Sequence, residues 1–201
     1  DLTKIAAASD PNGGLRNALR HPAFWLLAIA FPMITMNHGV LLNHLLPMLG
    51  ERGVSIEISV LAASTFGPMQ VAGRLGMMAL EKRVSMQVIC AFSFVFMAVA
   101  SLFLFFAGAS TWLIFAFVMF QGSGYGVTSI TRPTVTVELL GRTGFGAISG
   151  ALAMPFMAAF AAAPTLAAVI WSAGGYSMVI IAAIGMVVVG FLAFVGAVMS
   201  A

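Results

Sequence analysis

Few side chains in this apolar chain could do chemistry, and they fall in groups. Asn37, His38, Asn43 and His44 lie in one apolar stretch. Asn37 and His44 stand seven residues apart, on one face of a helix. Gln70 and Arg74 form an i,i+4 pair. Gln121, Tyr125, Thr128 and Arg132 advance by four, three and four residues and so share another face. A polar stripe on an apolar helix suits a water-filled path or a cavity for a polar solute. Arg keeps its proton, so Arg74 and Arg132 each require an anion, water or backbone carbonyls. A substrate carboxylate is one such anion. Each group also has a plainer use: Asn and His bond to neighbouring helices, and Arg74 snorkels towards an interface.

Absences narrow the chemistry further. No Asp or Glu lies inside the long apolar runs; Glu51, Glu57, Glu81 and Glu138 fall in or beside connections. Proton coupling within this segment would fall to His38 or His44, because imidazole titrates near neutrality. No residue set has metal-ligand spacing and no cofactor motif occurs. Cys90 stands alone, without an intrachain disulfide partner or an activating neighbour, and reads as packing. The chain is not expected to be an enzyme. Gly122-Ser123-Gly124 has a passing likeness to the Ser motif of rhomboid-like proteases, but Gln121 interrupts it and His21, His38 and His44 all precede Ser123. The Asn-Pro-Ala loops of water and glycerol channels do not occur.

The elements that carry these residues follow from composition. Charged residues make up 7% of the chain and apolar ones 61%, whereas soluble domains carry roughly a quarter charged residues. Lipid is therefore the expected solvent for most of the chain. A surplus of three positive charges with no basic stripe points away from nucleic acid. A crossing helix needs about 20 apolar residues, and six stretches supply them, over about 24–49, 58–80, 85–107, 111–131, 145–171 and 177–199. Glu51-Arg52-Gly53 and Glu81-Lys82-Arg83 end the first two. Gly108-Ala109-Ser110 and Gly174-Gly175 divide the longer charge-free runs, and Pro133 is expected to end the fourth helix. Residues 1–22 read as a polar linker without a secretory signal, and the absence of a starting Met reads as a fragment or a processed chain.

Six crossings put both termini on one side. Lys4, Arg16, Arg20, Arg74, Lys82, Arg83, Arg132 and Arg142 fall at that side and Arg52 opposite. The positive-inside rule makes the basic side cytoplasmic. Within the bundle, Gly122, Gly124 and Gly126 predict close approach to a neighbour or a bend. Gly146 and Gly150 form a small-xxx-small pair of the kind that packs membrane helices. Pro155 and Pro164 are expected to kink the fifth helix, and the sixth reads as a peripheral, lipid-facing support.

Three stretches in this order resemble the C-terminal half, spans seven to twelve, of a major facilitator superfamily transporter. They are His44-Leu-Leu-Pro-Met-Leu-Gly-Glu-Arg-Gly53, Gly67-Pro-Met-Gln-Val-Ala-Gly-Arg74 with Glu81-Lys82-Arg83, and Glu138-Leu-Leu-Gly-Arg-Thr-Gly-Phe-Gly-Ala-Ile-Ser-Gly150. The likeness is greatest to bacterial monocarboxylate porters and oxalate/formate antiporters. It implies an all-α, six-transmembrane-helix bundle forming half of that fold in the bacterial inner membrane, with both termini cytoplasmic. It implies a secondary transporter that moves a small solute, such as an organic anion, by alternating access. The other six-helix half would come from the same full-length chain or from a second polypeptide. Asn37, His44, Gln70, Arg74, Gln121 and Tyr125 would line the substrate path. In these relatives an acidic residue stands where Gln70 stands here, one turn before the Arg. The family's loop signature survives as Glu81-Lys82-Arg83, which would act as a conformational latch. A six-helix membrane scaffold that binds a partner without transport is the other reading, and it requires every polar residue to be paired with another helix.

Overall fold

The structure, a computed structural model, describes residues 11–201. Lys4 and the first ten residues of the expected linker lie outside the described residues. Everything described apart from short connections is helical, and no strand occurs among the described residues. Helix α1 is Pro11–Arg20, α2 Pro22–Asn43, α3 Leu45–Glu51, α4 Ile56–Leu80, α5 Met86–Phe106 and α6 Thr111–Leu140. The last run, Phe145–Met199, loses helical dihedrals only at Gly174 and Gly175. Gly175 has φ +68, a left-handed value that glycine adopts without steric cost. The run therefore consists of α7 (145–173) and α8 (176–199).

Local chemistry fixes most of the ends. Ser55 and Ser85 cap α4 and α5, accepting from the amides of Ile58 and Val88 at 3.4 Å. Pro22 occupies the first turn of α2, where a missing N–H costs nothing. Helices α2, α5, α6 and the 145–199 run are long and apolar enough to cross a membrane. Helix α4 has the length, 25 residues, but carries Glu57, Gln70 and Arg74. The chain thus has the make-up of an all-helical membrane protein.

Two expectations are corrected. The first stretch is not one helix over 24–49: it breaks at His44 (φ −103, ψ 8) and resumes as α3. Pro47 has no N–H to give the Asn43 carbonyl, so the helix turns three residues ahead of it. Conversely, Pro133 does not end α6, which runs on to Leu140. The loss of one hydrogen bond there is accompanied by burial of Val135 and Thr136 in the bundle. The Thr134 and Thr136 hydroxyls also donate to Ile130 O and Arg132 O. Arg132 accordingly lies inside the helix, roughly 12 Å from Leu140 by helical rise. Helix α8 exposes Ile181, Val188, Val189 and Leu192 on its outer side and packs through the other. Val179, Ile180, Ala183, Val187, Gly190 and Phe194 form a buried stripe, and Gly190 lets Met33, Phe94 and the Ala30 carbonyl come close. Helical dihedrals continue through Pro155 and Pro164.

Helix α2 packs along α7 and α8, while α4 and α5 both lean on α6. The alternate glycines of α6 make this possible. A Cβ on Gly122 or Gly126 would run into Met69 or the Gln70 backbone of α4, and one on Gly124 would meet Ser93 and Met97 of α5. Gly73 of α4 likewise sits against the Ser123 backbone. Backbones this close gain dispersion contact, which drives helix association in lipid. Gly146 and Gly150 are different: they are exposed, with open space where a Cβ would stand. Two large apolar clusters fill the bundle, and a small third gathers Met77, Ile89 and Val127. Of the large two, one gathers Leu41, Leu45, Met48, Phe117 and Ile180; the other gathers Phe31, Phe94, Ile148 and Phe194.

Candidate functional site

The two large clusters meet at a polar layer. Asn37 of α2 is fully buried between them. Its Nδ2 donates to Ser101 Oγ at 3.2 Å and to Ala183 O at 2.8 Å. Its Oδ1 accepts from Gln121 Nε2 at 2.8 Å, and Gln121 is also fully buried. Ser101 Oγ passes its own proton to Met97 O. One asparagine thus joins α2, α5, α6 and α8. Such a group needs its partners, because an unsatisfied polar group in an apolar interior is costly.

Beside this layer runs a second seam whose groups are not all satisfied. The His38 ring stacks flat on Tyr125, with centroids 3.6 Å apart and planes at 6°. Phe66 meets the same imidazole edge-on. His38 Nδ1 and Gln121 Oε1 are buried and have no hydrogen-bond partner among the described residues, while the Thr35 hydroxyl faces the Tyr125 phenol. Seven residues beyond Tyr125, the Arg132 guanidinium lies 4.0 Å from the centroid of the Phe156 ring on α7. Its Nη1 is buried and also without a partner. A ring face offsets part of a cation's charge, but it does not use the N–H donors. The seam therefore presents a fixed cation with an unused donor, a phenol, an imidazole and a hydroxyl along an apolar bundle. That donor set suits a small anion with oxygen acceptors.

The remaining predicted residues make other contacts. Arg74 Nε donates to Gly126 O at 3.1 Å, so this cation spends one donor on the α6 backbone. Gln70, one turn earlier on α4, is half-buried. His44 sits at the opposite end of α2 from Arg132, where Nε2 lies 3.2 Å from Pro164 O and Nδ1 3.5 Å from the Tyr176 hydroxyl. Trp171 donates to Glu51 Oε1 at 3.1 Å in the same corner, and Arg52 donates to Leu104 O. Partial burial of Arg52 lowers its pKa from the usual guanidinium value. Glu81, Lys82 and Arg83 are exposed in the turn between α4 and α5.

The structure thus brings Asn37 together with Gln121, and Tyr125 with His38. His44 lies at the other end of α2, and Gln70 and Arg74 meet α6 at Gly126, next in sequence to Tyr125. Thr35 and Phe156 join the site without any sequence signal: one reads as an ordinary helix residue, the other as packing. Cys90 is buried and free, and no group of His, Cys, Asp or Glu among the described residues could hold a metal ion. The chain matches no protein-family model and no curated protein sequence.

Proposed function

We propose that the chain crosses the membrane six times, through α2 with α3, α4, α5, α6, α7 and α8, and forms one half of a secondary transporter for a small organic anion. Its resemblance to the C-terminal half of a major facilitator is one support. The observation that carries the reading is the seam itself: Arg132 holds an unused donor two turns along α6 from Tyr125, which stacks on His38, on helices otherwise surrounded by hydrocarbon. An ionisable residue at such a place points to function, because the membrane makes it expensive to keep. The second half would pack on the exposed small faces of α4 and α7, around Gly67, Gly146 and Gly150. The bound anion would then lie between two bundles that rock about it. Glu81, Lys82 and Arg83 would latch one of the two conformations.

The scaffold reading draws on the Asn37 layer, where the partners of Asn37 are supplied by other helices. It does not account for Arg132 Nη1 or His38 Nδ1. Uptake of labelled monocarboxylates into proteoliposomes carrying the complete transporter separates the two. Loss of a charged hydrogen bond costs about tenfold or more, so Arg132→Gln is expected to lower uptake by at least that factor. Arg132→Lys should retain part of it, and Arg74→Ala should cost less than Arg132→Gln. Uptake unchanged in both Arg132 variants would exclude the anion role.

A further inference from the structure

Helices α4 and α5 each rest on α6 but hardly touch one another beyond their connecting turn. Between them a groove of about 500 Å³ opens. Gly73, Gly76 and Gly124 keep its walls low, Phe92 and Phe96 flank it, and Leu80 and Val84 close one end. The hydroxyls on its wall are already used: Ser93 Oγ donates to Ile89 O and Ser123 Oγ to Met69 O. An occupant therefore finds apolar surface and little to hydrogen-bond. Leu80 and Val84 also bracket the exposed turn Glu81-Lys82-Arg83, which has two positive charges against one negative.

An apolar slot ending at a surplus of positive charge matches the two ends of one molecule. We propose that the groove holds an acyl chain of an anionic phospholipid whose phosphate lies against Lys82 and Arg83. The volume fits a single ligand; small-molecule sites occupy about 300–1,000 Å³. A second transmembrane helix, about 10–12 Å across, is a far larger occupant. The inference rests on α4 crossing the membrane, and not on transport of any solute.

The test is native mass spectrometry of the protein purified from membranes, with phosphatidylglycerol and phosphatidylcholine of identical chains as probes. The wild type is expected to retain one phosphatidylglycerol in preference to phosphatidylcholine. Lys82→Ala with Arg83→Ala should weaken that preference by roughly fivefold per charge. Gly76 has open space where a Cβ would stand, so Gly76→Phe should fill the groove and remove both lipids while leaving thermal unfolding near that of the wild type. Ala72→Leu, on the same wall, is the second variant should Gly76→Phe fold poorly. Equal retention of the two lipids by the wild type would overturn the headgroup contact. Undiminished phosphatidylglycerol in a folded groove-filling variant would overturn the groove. Neither readout depends on uptake, so the transport reading stands or falls separately.

Discussion

Asn37 and Arg132 show how differently two polar residues can be held in one apolar bundle. Asn37 gives both its amide protons to Ser101 and Ala183 and takes one from Gln121. Truncation to Ala would leave the Gln121 amide and the Ala183 carbonyl facing an apolar gap. An unsatisfied buried partner costs about 1–3 kcal/mol, while interhelical bonds in membranes average about 0.6 kcal/mol. Asn37→Ala is therefore expected to destabilise the bundle by about 1–3 kcal/mol, read as a lower midpoint in denaturant titration, and more than Ser101→Ala. Arg132 has no such closure: its partner is a ring face, and one donor is unspent. Changing it should alter uptake far more than stability. The spacing of Gln121, Tyr125 and Arg132 was readable as one face, and so was the isolation of these groups in apolar sequence. Their division into a satisfied layer and an unsatisfied seam was not. That division depends on Ser101, Ala183 and Phe156, which come from other helices and carry no periodic signal of their own.

At the scale of elements, the positions of the helices were largely legible because hydrophobic length and glycine or charged turns mark them. The structure has α5 at Met86–Phe106, close to the expected 85–107, and α4 at Ile56–Leu80, close to 58–80. Proline acts in opposite ways at two positions. Pro133 lies inside α6, while the break near Pro47 falls at His44. A proline removes one hydrogen bond, and whether the helix survives depends on what the next turn buries, which a single sequence does not display. Glycines divide in the same way. Gly126 fits against the backbone of Gln70, whereas Gly150 meets open space. Gly126→Leu should force α4 away from α6 and cost about 1–3 kcal/mol by overpacking, with a matching loss of thermal stability. Gly150→Leu should leave the isolated bundle as stable as before. If the second half packs on α7, the same change should weaken its association, measured by co-purification of the two halves expressed separately. Equal stability losses in the two variants would argue against the distinction.

On the scale of the whole molecule, two large apolar clusters separated by one polar layer make a bundle whose middle is its most specific part. The apolar clusters supply bulk packing, which tolerates substitution of similar volume. The layer at Asn37 fixes how α2, α5, α6 and α8 sit against each other, because its hydrogen bonds close in one arrangement. The proposals about the anion and the latch depend on hydrocarbon surrounding this bundle and on six passages through it; the lipid proposal needs only the passage of α4. Single cysteines at positions 52, 82, 108, 142 and 174, in a Cys90→Ser background, probe that directly with a membrane-impermeant maleimide applied to intact cells and to inverted vesicles. Positions 52, 108 and 174 should label from outside, and positions 82 and 142 only from the cytoplasmic face. Labelling of 52 and 142 from the same compartment would overturn the six-passage topology, and with it the placement of the Arg132 seam in a transport path.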